Sequence, residues 1–326
     1  MKKVLILSQN EIKRLIKIKE ANDIIEKAFF AYGKKRVRMP AKIYLDLPEY
    51  NGDFRAMPAY IKDLEACGIK WVCSYSDNRK HKLPSVMATI ILNDPKNAYP
   101  LAILEATHLT NLRTGAAGAA AAKYLAKNDS KVLSLVGCGV QAKFQMLSLK
   151  ENFRFESVKI WGVTSKEMQA FKKEMQTKKI EVIPSKNIKE CVSDADIVCT
   201  TTPSRKPLVK LSWLKKGAHI NAIGADAEGK QELDSQILKN SVIVVDDYKQ
   251  ASHSGEINVP LKKKIISKRN IYANIGEIVS GSKKAVDKDR LTVFDSTGLA
   301  IQDVAVSRFI YDKAKKKKAG NWLNLF

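Results

Sequence analysis

The chain has 326 residues, 45% of them hydrophobic, and 57 Lys and Arg against 34 Asp and Glu give a formal net charge of +23. That length and apolar share predict two domains with real cores and exclude a disordered or low-complexity chain. No run approaches the ~18 consecutive apolar residues of a membrane span, and Lys2 and Lys3 precede only Val4 to Leu7, short of the ~7 to 15 residues of a signal-peptide core, so a cytoplasmic protein is expected.

The positive charge admits nucleic acid, an anionic membrane or an anionic substrate as partner. Its distribution argues against the first two. Lysines are spread along the whole chain, and the one dense run, Lys313 to Lys318, reads as a solvated helix terminus. No aromatic-and-basic motif stands out. Cys67, Cys73, Cys138, Cys191 and Cys199 are odd in number and lack C-x-x-C spacing, which predicts reduced, mostly buried thiols. His81, His108, His219 and His253 have no zinc-like spacing, so no metal site is expected.

In chain order, Lys3 to Gly33 reads as a strand, VLIL, and one helix, with Ser8 and Glu11 at capping-box spacing. From Val37 to Val72 the runs KIYLDL, DFRAMPAYI and GIKWVCSY, punctuated by Pro40, Pro48, Asn51-Gly52 and Gly68, predict antiparallel strands with hairpin turns. SVMATIILND and PLAILEA add two more strands and complete an α+β domain. Thr107 to Leu125, THLTNLRTGAAGAAAAKYL, is a helix of small residues expected to pack closely on the domain that follows. Its glycines each cost about 1 kcal/mol of propensity relative to alanine, which packing must offset.

From Lys131 strands and helices alternate: VLSLV, VKIWG, IEVI, DIVCT, HINAIG, VIVVD and LTVFD, with helices between them, including one near Trp213. Short, continuous apolar strands fit a parallel sheet buried on both faces, so a doubly wound α/β domain is predicted. After Gly298 an amphipathic run, LAIQDVAVSRFIYDKA, reads as a helix returning to the first domain.

The stretch KVLSLVGCGVQA carries the main motif. A strand runs into Gly137 and Gly139, and Ala142 follows where a helix is under way, the G-x-G-x-x-[GA] pattern of a dinucleotide-binding turn. Gly137 permits the sharp turn, Gly139 lets a pyrophosphate approach the backbone, and the helix start points N–H groups at the phosphates. At the end of the next strand, where an acid ordinarily holds the adenosine ribose of NAD, stand Gly162, Val163 and Thr164, then Ser165 and Lys166. Without a carboxylate there a ribose 2′-phosphate meets no repulsion, which favours NADP slightly over NAD. Arg55 in DFRAMPAYI, Lys70 in GIKWV and Arg113 in the small-residue helix are basic groups in apolar settings, and Asp226 lies just past a strand's carboxyl end. On the residues alone, a strand lysine such as Lys70 more often faces solvent, and Asp226 is equally compatible with a turn cap.

The blocks RAMPAY, GIKWV, LPSVMA, LRTGAAG, VGCGVQA, TTTPSRKP, HINAIGADAEGKQELD, GEINV and FDSTGLAIQDVAV resemble the ornithine cyclodeaminase and mu-crystallin family over nearly the whole chain, nearest its archaeal alanine dehydrogenase branch. The resemblance implies a Rossmann domain (114–298) inserted into a discontinuous substrate and dimerisation domain (1–113 with 299–326), and a homodimer. It implies that Lys70 and Asp226 are catalytic, and that Arg55, with Lys70, Lys42 and Arg113, binds the substrate. Coenzyme contacts are implied for Arg113, Thr114, Gly137, Gly139, Val140, Gln141, Gly162, Val163, Thr164, Thr201, Thr202, Pro203, Gly224, Lys230 and Ser296. The activity implied is NAD(P)-dependent reductive amination of pyruvate and its reverse, with ornithine or lysine cyclodeamination or cyclic ketimine reduction as alternatives. A nucleotide-binding protein without turnover is disfavoured by Asp226, an acid the mu-crystallin branch lacks. Gly162 departs from the aspartate of close relatives, so the NAD preference does not carry over.

Overall fold

The structure, a computed structural model, describes residues 3–325 and divides into two compact units, Met1–Arg113 with Leu299–Phe326, and Thr114–Gly298.

The first unit holds β1 (Val4–Leu7), β2 (Val37–Arg38), β3 (Ile43–Leu47), β4 (Gly52–Ile61), β5 (Ala66–Tyr75), β6 (Val86–Asn93) and β7 (Pro100–Glu105). With the C-terminal strand Asn321–Leu323 they form one sheet, ordered C-terminal strand, β1, β7, β6, β5, β4, β2, with β3 also on β4. The hairpin strands β3 to β7 pair antiparallel as expected, but β1 lies parallel to β7. No hairpin joins those two strands, so no turn dictates their direction. The N-terminal helix is also two helices, Gln9–Leu15 and Ile18–Gly33. Ser8 and Glu11 cap the first, and the Glu20 carboxylate accepts from the Lys17 N–H at 2.8 Å to start the second.

Alternation along the long strands gives the sheet two different faces. Met57, Lys70 and Ile90 stand side by side across β4, β5 and β6 and are buried, with the helix Ala300–Lys317 packed on these strands. The opposite face carries Ile43, Leu45, Trp71 and Ile91, all exposed, with Phe54 stacked on Trp71 at 5.1 Å between ring centroids. The lysine run ends that same helix: Lys315 to Lys317 lie in its last turn and Lys318 caps it in the left-handed conformation.

The second unit holds β8 (Val132–Val136), β9 (Ser157–Trp161), β10 (Ile183–Pro184), β11 (Ile197–Thr200), β12 (His219–Ala222), β13 (Val242–Val245), β14 (Ile271–Asn274) and β15 (Thr292–Asp295). Their order is β10-β9-β8-β11-β12-β15-β13-β14, every pair parallel. Residues of β11, β12, β13 and β15 are all buried, the pattern of strands covered on both faces. From β8 the chain winds outward to β9 and β10, then returns to place β11 on the other side of β8. The reversal opens a crevice at the carboxyl ends of β8 and β11.

Two expectations are corrected here and one stretch was unforeseen. IEVI yields only the two-residue β10, Trp213 lies in a single 3-10 turn (Leu211–Trp213), and β14 with the helices Tyr248–Ser254, Asn258–Lys262 and Ile275–Val279 was not anticipated. Helices of five to seven residues span barely two turns, too few to show a 3.6-residue period. The small-residue helix spans Thr107–Leu125. A Cβ added at Gly115 or Gly118 would run into the Phe144 carbonyl or the Gln145 side chain, so the small residues serve close packing on the helix Val140–Leu149.

Candidate active site

Within Thr114–Gly298 the glycine turn sits at the crevice. Gly137 has φ +108°, a left-handed conformation that side chains rarely adopt, and its N–H donates to the Trp161 carbonyl at 2.8 Å. An added Cβ there would lie 2.7 Å from Thr201 Oγ1, so the loops after β8 and β11 touch. Gly139 is the N-cap of the helix Val140–Leu149, and a Cβ on it would meet no atom within 4 Å. The first N–H groups of that helix lack intrahelical acceptors, and the space open beside Gly139 would admit a pyrophosphate. Val140 is exposed and Gln141 half-buried at this helix start. Gly162 is buried at the end of β9, while Val163 and Thr164 are exposed and Thr164 caps the helix Ser165–Gln176 by accepting from the Glu167 N–H. The Thr114 carbonyl accepts from Gln145 Nε2 at 2.9 Å, and the buried Ser296 donates its N–H to the Ala222 carbonyl at 3.0 Å.

Past β12, Asp226 stands in a loop with its Oδ1 2.5 Å from Lys230 Nζ, its side chain 41% exposed. Thr202 and Gly224, at the ends of β11 and β12, are joined by an acid that the sequence reading did not single out. Glu232 is fully buried; its Oε1 accepts from the Thr202 N–H (2.6 Å) and hydroxyl (2.7 Å), and its Oε2 from the Gly224 N–H (2.9 Å). Burial pushes its pKa up to about 7, against the pull of the Thr202 and Gly224 hydrogen bonds. Glu256, held by the N–H groups of Glu232 and Leu233, is pushed well up by burial and by the Glu232 charge. Asp295 rises to about 8, again chiefly by burial. His219 is a neutral core histidine: its ring nitrogens meet Thr292 and Asn221, and burial lowers its pKa to about 4.

The first unit contains the other cluster. Lys70 is 1% exposed and its Nζ lies 2.8 Å from Asp303 Oδ2. The same carboxylate takes Arg113 Nε at 3.0 Å on Oδ1, while Arg113 Nη1 donates to Gln302 Oε1 at 2.9 Å. Two buried cations thus share one carboxylate. Burial lowers the Lys70 pKa to about 7, the Asp303 charge opposes that, and Arg113 and Lys42 add to it. An ammonium poised there exchanges its proton near neutrality, as general acid–base chemistry asks.

Arg55, on β4, is held by its neighbour Asp53 through two contacts (2.7 and 3.1 Å) and lies over the Tyr44 ring at 5.4 Å. Lys42 is half-buried just before β3. Lys70 thus feels the charges of Arg113 and Lys42, while Asp303, Gln302 and Asp53 were missed. A signal for Asp303 existed: in LAIQDVAV it is the one charge in an otherwise apolar or polar-neutral turn, and buried carboxylates are rarely unpaired. Which cation it would meet was not written locally. Among the described residues no group of His, Cys, Asp and Glu could hold a metal ion, and no helix is long and apolar enough to cross a membrane.

The strand order, with its glycine turn at the switch point, makes Thr114–Gly298 a dinucleotide-binding unit of the Rossmann type, set into an α+β unit with a buried lysine. Comparison with known proteins narrows this class. The chain belongs to the ornithine cyclodeaminase/mu-crystallin family, whose profile matches residues 2–318. It is 46% identical to the alanine dehydrogenase of Archaeoglobus fulgidus over 325 residues, 99% of this chain and 98% of that one. An archaeal alanine dehydrogenase dimer with bound NAD superposes with a TM-score of 0.95 at 46% identity, covering 99% of this chain and 100% of that one. The Δ1-pyrroline-2-carboxylate reductase of Thermococcus litoralis, in complex with NADH and L-proline, superposes with a TM-score of 0.94 at 37% identity, covering 98% and 99%.

Proposed function

We propose that the protein is an NAD(P)-dependent alanine dehydrogenase, aminating pyruvate to L-alanine and deaminating L-alanine in reverse. The observation that carries this reading is the pair of buried cations, Lys70 and Arg113, on the single carboxylate of Asp303. Their surplus positive charge suits an anionic substrate and the oxyanion that grows on its carbonyl oxygen. The 46% identity with an alanine dehydrogenase over almost the full length supports it.

The residues present fit the coenzyme. The turn Gly137–Gly139 and the helix start at Val140 and Gln141 would hold its pyrophosphate, Thr201, Thr202 and Pro203 its nicotinamide ribose, with Arg113, Thr114, Gly224, Lys230 and Ser296 as further contacts. When bound, it supplies or accepts the hydride. Arg55, on leaving Asp53, forks the substrate carboxylate and orients the keto carbon. The Lys70 ammonium neutralises charge on the carbonyl oxygen, and Asp226 takes and returns protons as ammonia adds and water leaves. Lys42 adds positive charge beside the carboxylate. At the ribose end, Gly162 places no carboxylate against a 2′-phosphate, and Val163, Thr164 and the residues that follow are exposed, so NADP is accepted alongside NAD and is slightly preferred.

The uncovered apolar face of Ile43, Leu45, Phe54, Trp71 and Ile91 fits a second copy of the chain, giving a homodimer. Five free thiols fit a reducing, cytoplasmic setting.

The test is direct. Purified protein with pyruvate, ammonium and NADH or NADPH is expected to consume the reduced coenzyme and form alanine. Formation of proline from ornithine with no net coenzyme change would overturn the reading. Faster reduction of Δ1-pyrroline-2-carboxylate than of pyruvate would favour a second one, cyclic-imine reduction, to which the 37%-identical Thermococcus litoralis reductase points.

A further inference from the structure

Four loops end at the carboxyl edge of the second unit's sheet, and buried acids tie them together. Asp246, at the end of β13, accepts from the N–H groups of Thr297 (2.6 Å) and Gly298 (2.7 Å). Asp295, at the end of β15, accepts from the Ile257 N–H at 3.0 Å. Glu256 holds the N–H groups of Glu232 (3.0 Å) and Leu233 (2.7 Å). Glu232 closes the series, and its two oxygens go to different loops, one to Thr202 and one to Gly224. Its own backbone is fixed as well, since its carbonyl accepts from the N–H groups of Leu208 (2.7 Å) and Val209 (3.1 Å). The approach is tight enough to require glycine at 224: an added Cβ there would stand 2.6 Å from Glu232 Oε2 and closer still to the Thr202 carbonyl.

We infer that Glu232 is a positioning residue, one carboxylate that fixes the Thr201–Thr202–Pro203 turn against the Gly224–Asp226 turn. It thereby sets where Asp226 stands relative to the loop assigned to the nicotinamide ribose. The inference rests on the proposed roles of those two loops. It needs a carboxylate and not merely a polar filler, because all three donors point at oxygens. An amide of the same shape has one acceptor oxygen, and its NH2 would oppose either the Thr202 or the Gly224 N–H.

The experiment compares wild type with Glu232→Gln by NADH fluorescence titration, steady-state kinetics on pyruvate and ammonium, and thermal melting. The expected result is a split: kcat at least 30-fold lower, the NADH dissociation constant at least fivefold higher, and KM for pyruvate within threefold of wild type. A lowered melting temperature with kcat and NADH affinity within twofold of wild type would overturn the inference and leave Glu232 a stability residue. Should Glu232→Gln fail to fold, Glu232→Asp keeps the carboxylate but draws its oxygens back from Thr202 and Gly224 and is expected to raise the NADH dissociation constant about threefold; no change overturns the inference. If wild type binds NADH yet leaves pyruvate untouched, the alanine dehydrogenase reading fails while the titration still decides the role of Glu232.

Discussion

The two units bury ionisable groups in opposite ways. In the first, Lys70 and Arg113 share the Asp303 carboxylate, so side-chain charges answer one another and a cation is left in excess. In the second, Glu232 and Glu256 are answered by backbone N–H groups and a threonine hydroxyl, which hold the acids while burial drives their pKa values up. The difference teaches what each group is for. An ion cluster with surplus charge is suited to a ligand of the opposite sign. Carboxylates saturated by main-chain donors spend their acceptors on the shape of loops.

The largest expected effect tests the first cluster. Lys70→Met removes the ammonium proposed to answer the carbonyl oxygen, and kcat on pyruvate should fall on the order of 10³-fold or more. NADH affinity, measured by fluorescence titration, should stay within threefold, because the proposed pyrophosphate turn, Gly137 to Gln141, lies in the other unit. Unchanged turnover would move the chemistry away from Lys70.

Next comes Asp303→Asn, which strips two buried cations of their shared acid. Breaking a buried pair from one side costs about 3–5 kcal/mol, and urea denaturation should register that loss. The double variant Lys70→Met, Asp303→Asn should recover part of it, since one uncompensated charge has gone. A double variant no more stable than Asp303→Asn would mean the cluster is not coupled.

Stability against pH sharpens the contrast, because the two regions should slope in opposite directions. The Lys70 pKa falls from 10.5 to about 7 on folding, so the unfolded chain binds more protons between those values. Its contribution is present above pH 10.5 and is lost as pH falls toward 7. The Glu232 pKa rises from 4.5 to about 7, so the folded chain holds more protons in that window, and this contribution is present below pH 4.5 and lost as pH rises through 7. Each slope is at most about 1.4 kcal/mol per pH unit. Denaturation midpoints across pH 4–10 should show that Lys70→Met flattens the upper slope and that Glu232→Gln lessens the lower one, to which Asp295 and Glu256 also contribute. Activity should follow the same lysine: amination of pyruvate declines as pH rises through about 7, when the ammonium is lost.

The smallest expected effect supplies the control. Thr164→Ala deletes the exposed cap of the helix Ser165–Gln176 and should cost about 1 kcal/mol, with both pH slopes intact. A change in either slope would show that these slopes do not report buried groups alone.

Much of this could be read before the fold was known, and the reasons are local. Gly137 and Gly139 bend a strand into a helix within six residues, Ser8 and Glu11 cap a helix three residues apart, and Thr107–Leu125 shows its close packing in its own small side chains. Short apolar runs alternating with helices announced the parallel sheet of the second unit. The one-helix reading of the N-terminus failed because Glu20 caps a second start that apolar spacing does not reveal. The antiparallel reading of the hairpin strands held, and the parallel pairing of β1 with β7 went unforeseen because β1 meets a strand far along the chain.

The amino-acid sequence by itself determined the period of the longer elements, the glycine turn, and the presence of a lysine, an arginine and an aspartate in settings that required explanation. The tertiary structure alone decided that Arg113 meets an acid 190 residues away, that Lys70 shares it, and that Glu232 bridges two strand ends. Periodicity records sterics between residues a few positions apart. The partner of a buried charge is chosen when distant segments return to the same sheet, and burial there, not residue type, moves a lysine or a glutamate to titrate near neutrality.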